Sequence, residues 1–335
     1  VSSTGTATTL GAKFAAILTD PRGVPGERAP LAARLKYALV IRRYEFLPVY
    51  VPLVLTPALL GARSWGEFAS LDAVLALVYV ISGLQVANMT NALADREQDR
   101  QLKSRQSDAV YGLGVPRVVA HIAVSTAVCA ALALYLTVRA QQWGMLLPAL
   151  AAGLIGFQYS LPPLHLKSAG LWQLLALQNG CVFLPGLFVL WSFGHPLEWG
   201  SVVAVLGFAL ALTSLFVTSH GEDYLVDGRF GIRTYVRALG LVRAFRVQLA
   251  MLVAGGVLIL VSVPATFGFS WGLLPFLAAW LVSIRFLDAV VRDVRRAPLH
   301  EAVADLHGKS LLGPYHSSLL SWATVVLAAS VLIGR

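Results

Sequence analysis

The sequence predicts an all-α, polytopic membrane protein with nine transmembrane helices, and three observations predict it. Of 335 residues, 57% are hydrophobic and only 13% charged, where soluble domains carry roughly a quarter, and the mean hydropathy is +0.71. Apolar runs near the roughly 20 residues that cross a bilayer recur almost end to end. The cations fall between those runs and not inside them. A water-soluble globule is excluded, and the alternating pattern of barrel strands is absent, so the runs are expected as helices.

Taken in order, span 1 (45–62) follows the string IRRYEFLP, and its Pro48, Pro52 and Pro57 should bend it. Span 2 (71–94) runs straight into an acidic string. Span 3 (117–138) holds Cys129, and span 4 (143–158) holds Gly153 and Gly156, small enough for close helix contact. Span 5 (170–194) carries Cys181, Phe183, Phe188 and Trp191; span 6 (199–219) carries Gly207, Phe208 and Phe216. Spans 7 (247–267), 8 (270–287) and 9 (313–333) complete the set. The two cysteines lie in separate spans with no CxxC spacing, and read as inert buried thiols.

Sorting Lys and Arg by connection puts 23 of the 26 on one face, leaving Arg63, Arg139 and Arg335 on the other. By the positive-inside rule the N-terminus is cytoplasmic and the C-terminus opposite, which requires an odd number of spans. The net charge of +9 is therefore topological, and no continuous basic patch suggests nucleic acid. Residues 1–30, rich in Ser, Thr, Gly and Pro, lack the apolar core of a secretory signal and read as a frayed cytoplasmic tail. The organisation expected is a cytoplasmic N-terminal segment, 1–44, and one transmembrane domain, 45–335.

Chemistry belongs on the cytoplasmic face, where the acids concentrate. In NMTNALADREQDRQLKSR, Asn91, Asp95 and Asp99 recur every four residues as span 2 leaves the membrane, sharing one slowly drifting helical stripe. In HGEDYLVDGRFGIRT, at the end of span 6, Asp223 and Asp227 repeat that spacing. Both spans are even-numbered, so both stripes exit on the same side. Four carboxylates brought together repel and need a compensating cation. Mg2+, which takes one or two carboxylates and leaves its other positions to water and phosphate, fits this sparse pattern, and a diphosphate substrate follows. The alternative is two solvated helix ends whose acids pair with Arg96, Arg100, Lys103 or Arg229.

These residues resemble the UbiA superfamily of intramembrane prenyltransferases. Asn91, Asp95 and Asp99 match its NDxxDxxxD motif after the second helix, and Asp223 and Asp227 its DxxxD motif after the sixth. Gly231, Arg233, Thr234 and Gly240 are similar to the continuation of the second motif, and YSLPPLHLK, with Tyr159, Pro162, Pro163 and Lys167, is similar to the segment after the fourth helix. Two departures stand out: Ala92 lies where many members have Asp, and the Arg-Pro pair at the start of the first helix is here Arg43-Tyr44.

The resemblance implies a bundle around a central cavity in which Asp95, Asp99, Asp223 and Asp227 hold two Mg2+ ions on the diphosphate of an allylic prenyl donor. Asn91 would orient a metal-bound water or a phosphate oxygen. Lys167, Tyr159 and Arg233 would contact the diphosphate; their alternative readings are an inside-positive anchor, an interfacial tyrosine and a lipid-headgroup contact. Arg43 would meet an acceptor carboxylate or the diphosphate. Phe183, Phe188, Trp191, Phe208 and Phe216 are candidate tunnel walls, or ordinary packing. The seven histidines show no HExxH-like pairing. The implied reaction is prenyl transfer to an aromatic or other small-molecule acceptor; a terpene cyclase on the same scaffold and a cation-coupled transporter are the alternatives. Retention of Asp95 favours transfer over cyclisation, and acids at helix ends, away from the midplane, disfavour transport.

Overall fold

Inside lipid, apolar stretches this long satisfy their backbone hydrogen bonds within themselves. The computed structural model describes residues 9–19, 30–102 and 104–335, and among these there is no β-strand, only an isolated bridge between Gly170 and Thr234. The helices are α1 Leu10–Leu18, α2 Leu31–Ile41, α3 Leu47–Gly61, α4 Trp65–Phe68, α5 Leu71–Leu102, α6 Ser104–Leu113, α7 Val115–Ala140 and α8 Leu146–Ser160. There follow α9 Leu171–Leu177, α10 Leu184–Trp191, α11 Trp199–Phe216, α12 Tyr224–Arg229, α13 Tyr235–Leu239, α14 Leu241–Phe267, α15 Leu273–Arg296, α16 Leu299–Gly308 and α17 Leu312–Gly334. A π turn, Gln178–Phe183, joins α9 to α10 in one span.

Eight segments among the described residues are long and apolar enough to cross a membrane, and they match eight of the nine expected spans. The remaining one is α8, with 15 residues after a 3-10 turn, Trp143–Met145. Helix and turn together rise about 28 Å, close to the hydrocarbon thickness. In contrast, the 32 residues of α5 extend about 48 Å. It is longer than the hydrocarbon core is thick.

Proline does not break the first span. Pro52 and Pro57 lie inside α3, and Pro52, lacking an N–H, strands the Pro48 carbonyl one turn back. The indole Nε1 of Trp322 on α17 donates to that carbonyl at 3.0 Å, fastening the last span to the first. Gly207 permits an equally direct contact, because a Cβ there would come within 2.6 Å of the Gly255 carbonyl on α14.

The end of the bundle bearing the acidic motifs is more built up than the sequence reading expects. Residues 9–19, expected as part of a frayed tail, form α1, capped by the Thr9 hydroxyl. Arg96 on α5 holds its end, donating to the carbonyls of Ala16 and Thr19 at 3.0 and 2.8 Å. The rest of that expectation, residues 1–8 and 20–29, lies outside the described residues. Helix α2 packs on α6, with Tyr37 so close to Gly112 that a Cβ would overlap the ring. Two satellite apolar clusters underlie the motifs: Ile41, Met89, Ala92, Leu93 and Val110 beneath the first, and Val217, Tyr235, Phe245, Val290 and Leu306 beneath the second.

At the far end, charged residues tie helix termini together. Arg335 donates to the Leu60 and Ala62 carbonyls at 3.1 and 2.6 Å, pairs with Glu198 at 3.2 Å and covers the Phe267 ring. His195 Nε2 meets Glu67 at 3.0 Å, and Arg139 meets Asp72 at 3.6 Å. A cavity of about 210 Å³ lined by Glu67, Ser70, Asp72 and Arg139 lies here, away from the acidic motifs.

Candidate active site

The first motif is positioned by the continuous helix α5. Asp95 and Asp99 are 9% and 7% exposed, unusually buried for carboxylates. Asp95 Oδ2 accepts from Asn91 Nδ2 at 2.7 Å, and the same amide reaches Ser160 Oγ on α8 at 3.1 Å. Asn91 thus holds a carboxylate here, where a metal-bound water or phosphate oxygen was the expected partner. Position 92 faces the other way: Ala92 is fully buried in the satellite cluster. A carboxylate there would meet apolar neighbours, so this departure from the family pattern sits on the packing side of α5.

The second motif lies where α11 ends. A 3-10 turn, Val217–Gly221, leads to Asp223, the residue preceding α12. Asp223 is half-buried and Asp227 buried. Their spacing is fixed by the α12 turn, in which the Asp227 N–H bonds the Asp223 carbonyl at 2.8 Å. Gly228 follows, and a Cβ there would fall 2.7 Å from the Arg237 guanidinium, which lies over the Tyr224 ring and would have to shift.

Lys167 links the two motifs. Left-handed backbone at His165, with φ 42°, turns the loop after α8, and Lys167 Nζ meets Asp95 Oδ2 at 2.5 Å. Burial disfavours its ammonium, but Asp95 more than offsets this, and Tyr159 and Asp227 act in the same sense, so the pKa stands above its ordinary value. One lysine therefore lies within the field of an acid from each motif. Nearby, burial holds the His165 imidazole below its usual range.

The loop carrying Lys167 is stitched to the second motif from behind. The Gly170 N–H bonds the Arg233 carbonyl at 2.9 Å beside the Gly170–Thr234 bridge. Gln173, with no exposed surface, spans the same gap: its Nε2 donates to Tyr159 Oη at 3.0 Å, and its Oε1 accepts from the Tyr235 N–H at 2.8 Å. Tyr235 Oη in turn donates to the Val217 carbonyl at 3.2 Å and accepts from Gln248. The sequence reading missed Gln173, Ser160 and Arg237. A glutamine within an apolar span was the available signal for the first.

The other candidates are less closely drawn in. Arg233 has an exposed side chain, and its carbonyl, not its guanidinium, makes the contact above. Arg43 adopts left-handed backbone, φ 50°, lies within Coulombic range of Tyr50, and buries an Nε with no hydrogen-bond partner among the described residues. Of the proposed tunnel walls, Phe188 and Phe208 are buried in the main core, Phe188 packing on Tyr79 at 4.3 Å. Among the described residues no three acids, histidines or cysteines converge into a closed metal cage. Sparse carboxylate oxygens suit a hard cation that completes its shell with water and phosphate.

No family model and no curated protein matches the chain. Solved structures do. A UbiA homologue from Archaeoglobus fulgidus bound to GPP and Mg2+ superposes with a TM-score of 0.59 at 17% identity, covering 85% of this chain and 99% of that one. A digeranylgeranylglyceryl phosphate synthase gives 0.61 at 16% identity, covering 88% and 99%. The chain has the UbiA fold. A UbiA homologue from Aeropyrum pernix K1 agrees, with a TM-score of 0.57 at 18% identity over 87% and 98% of the two chains. In this fold Lys167 contacts Asp95 of the first motif and lies in the field of Asp227 of the second.

Proposed function

We propose that the chain is a Mg2+-dependent intramembrane prenyltransferase, moving a prenyl group from an allylic diphosphate to an aromatic or other small acceptor and releasing diphosphate. The observation that carries this reading is the single ammonium shared by the two motifs: Lys167 touches Asp95 and feels Asp227. A cation placed among acids of this kind suits a diphosphate that arrives with its metals. The neighbour bound to GPP and Mg2+ supports the same chemistry.

In this reading Asp95, Asp99, Asp223 and Asp227 would hold Mg2+, which would supply positive charge to the leaving group. Asn91 keeps Asp95 in place, and Lys167 and Tyr159 face the diphosphate, with Arg233 at the exposed rim. Arg43, whose Nε is buried and unpaired, faces an acceptor or donor anion. The carbon–oxygen bond breaks with its electron pair going to diphosphate; the allylic cation is captured by the acceptor, which then gives up a proton. The excess of Lys and Arg supports a cytoplasmic placement of this site and of the N-terminus, with the C-terminus opposite.

The test is purified protein with Mg2+ and a series of prenyl diphosphates, with and without candidate acceptors, read by pyrophosphate release and product mass. Transfer requires release that depends on an acceptor. Acceptor-independent release of a hydrocarbon or terpene alcohol would assign cyclase chemistry instead, and no release with any donor would overturn the enzymatic reading.

A further inference from the structure

We infer that Lys167 is a resident counter-ion which a divalent metal must displace from Asp95, so that metal binds together with diphosphate and not ahead of it. The inference rests on the proposed function above. Asp95 Oδ2 already accepts from two donors, Lys167 Nζ at 2.5 Å and Asn91 Nδ2 at 2.7 Å. A carboxylate oxygen has only about two lone-pair directions to offer. A metal arriving at this oxygen meets an ammonium in its place, and the two cations repel strongly in a buried setting.

Diphosphate resolves the conflict. Its oxygens attract the lysine head, freeing Asp95, and its negative charge compensates the incoming metal. The backbone need not move for this exchange. Gly170 is pinned to Arg233 and Thr234 three residues beyond the lysine, while the four-carbon lysine stem has rotamers enough to swing its head across. Asn91, braced by Ser160, stays behind to hold the carboxylate. Metal and diphosphate affinities are then coupled, each tightening the other by the same factor.

The experiment measures Mn2+ binding by the electron paramagnetic resonance of the free ion, against protein-free blanks, with and without inorganic pyrophosphate. Wild type is expected to bind Mn2+ at least about 10-fold tighter when pyrophosphate is present. Lys167→Met should bind Mn2+ alone about 10-fold tighter than wild type does, and lose most of the coupling. Lys167→Gln, which keeps a donor to Asp95 without the charge, should behave likewise and replaces Lys167→Met if that variant melts early. Lys167→Arg should retain the coupling. Wild-type binding that depends on pyrophosphate, with neutral variants no tighter for Mn2+ alone, overturns the counter-ion inference and leaves the proposed function standing. Failure of wild type to bind Mn2+ under either condition, or binding that survives Asp95→Asn combined with Asp227→Asn, overturns the proposed function itself.

Discussion

The two ends of the bundle use the same residue types to opposite effect. At the far end each cation is matched locally: Arg335 with Glu198 and two helix-terminal carbonyls, His195 with Glu67, Arg139 with Asp72. At the motif end one buried lysine serves acids from two separate spans. Matched charge closes a structure. A lysine in contact with Asp95 and in the field of Asp227 draws the two motifs into one electrostatic neighbourhood, and that is what sets this end apart as the candidate site.

The largest break in that contrast should come from the acids themselves. Asp95→Asn and Asp227→Asn are each expected to lower pyrophosphate release by about 10²–10³-fold or more, and Asp95→Asn should also lower the melting temperature, because it leaves the buried Lys167 ammonium without its carboxylate. A large fall in melting temperature in both would make these acids structural, like those of the far end. Next in size is Gln173→Leu. It strands the Tyr235 N–H and unties Tyr159, costing about 1–3 kcal/mol, and should raise KM for the donor; unchanged thermal stability would count against the strut.

At the far end the effects should be smaller and confined to stability. Arg335→Ala removes a cation from the carbonyl end of α3, worth about 1 kcal/mol, and is expected to leave turnover unchanged. Altered turnover would show that the two ends are coupled. The smallest effect is for Glu67→Gln. Burial raises the Glu67 carboxyl, but the Arg63 N–H and His195 together hold it below its ordinary 4.5. A depressed folded-state pKa stabilises above the unfolded value and is lost as pH falls through the folded one. The melting gap between wild type and variant should therefore be present above pH 4.5 and close below it; a gap that widens in acid would assign Glu67 no such role.

Much of the fold was legible because lipid leaves so few choices. Alternating cations and apolar runs locate the spans within a few residues, and the i, i+4 acids are the signal for the candidate site. The small helices at the motif end were not legible. The Thr9 cap of α1 and the prolines preceding α2 and α16 are weak signals beside transmembrane hydropathy. Gln173 and Ser160 were hidden for another reason: their partners, Tyr235 and Asn91, lie 62 and 69 positions away, and no local pattern joins residues so distant. Ala92 shows the converse, since its meaning depends on which side of α5 it faces.

The seam between Gly170 and Thr234 has a mechanical consequence. By welding the ammonium-bearing turn to the chain that bears Asp223 and Asp227, it makes one rigid plate of those parts. Asp95 and Asp99 ride on a separate rod, α5. Any backbone breathing of this end is therefore expected as travel of the rod against the plate, which a pair of spin labels, one on each, would read.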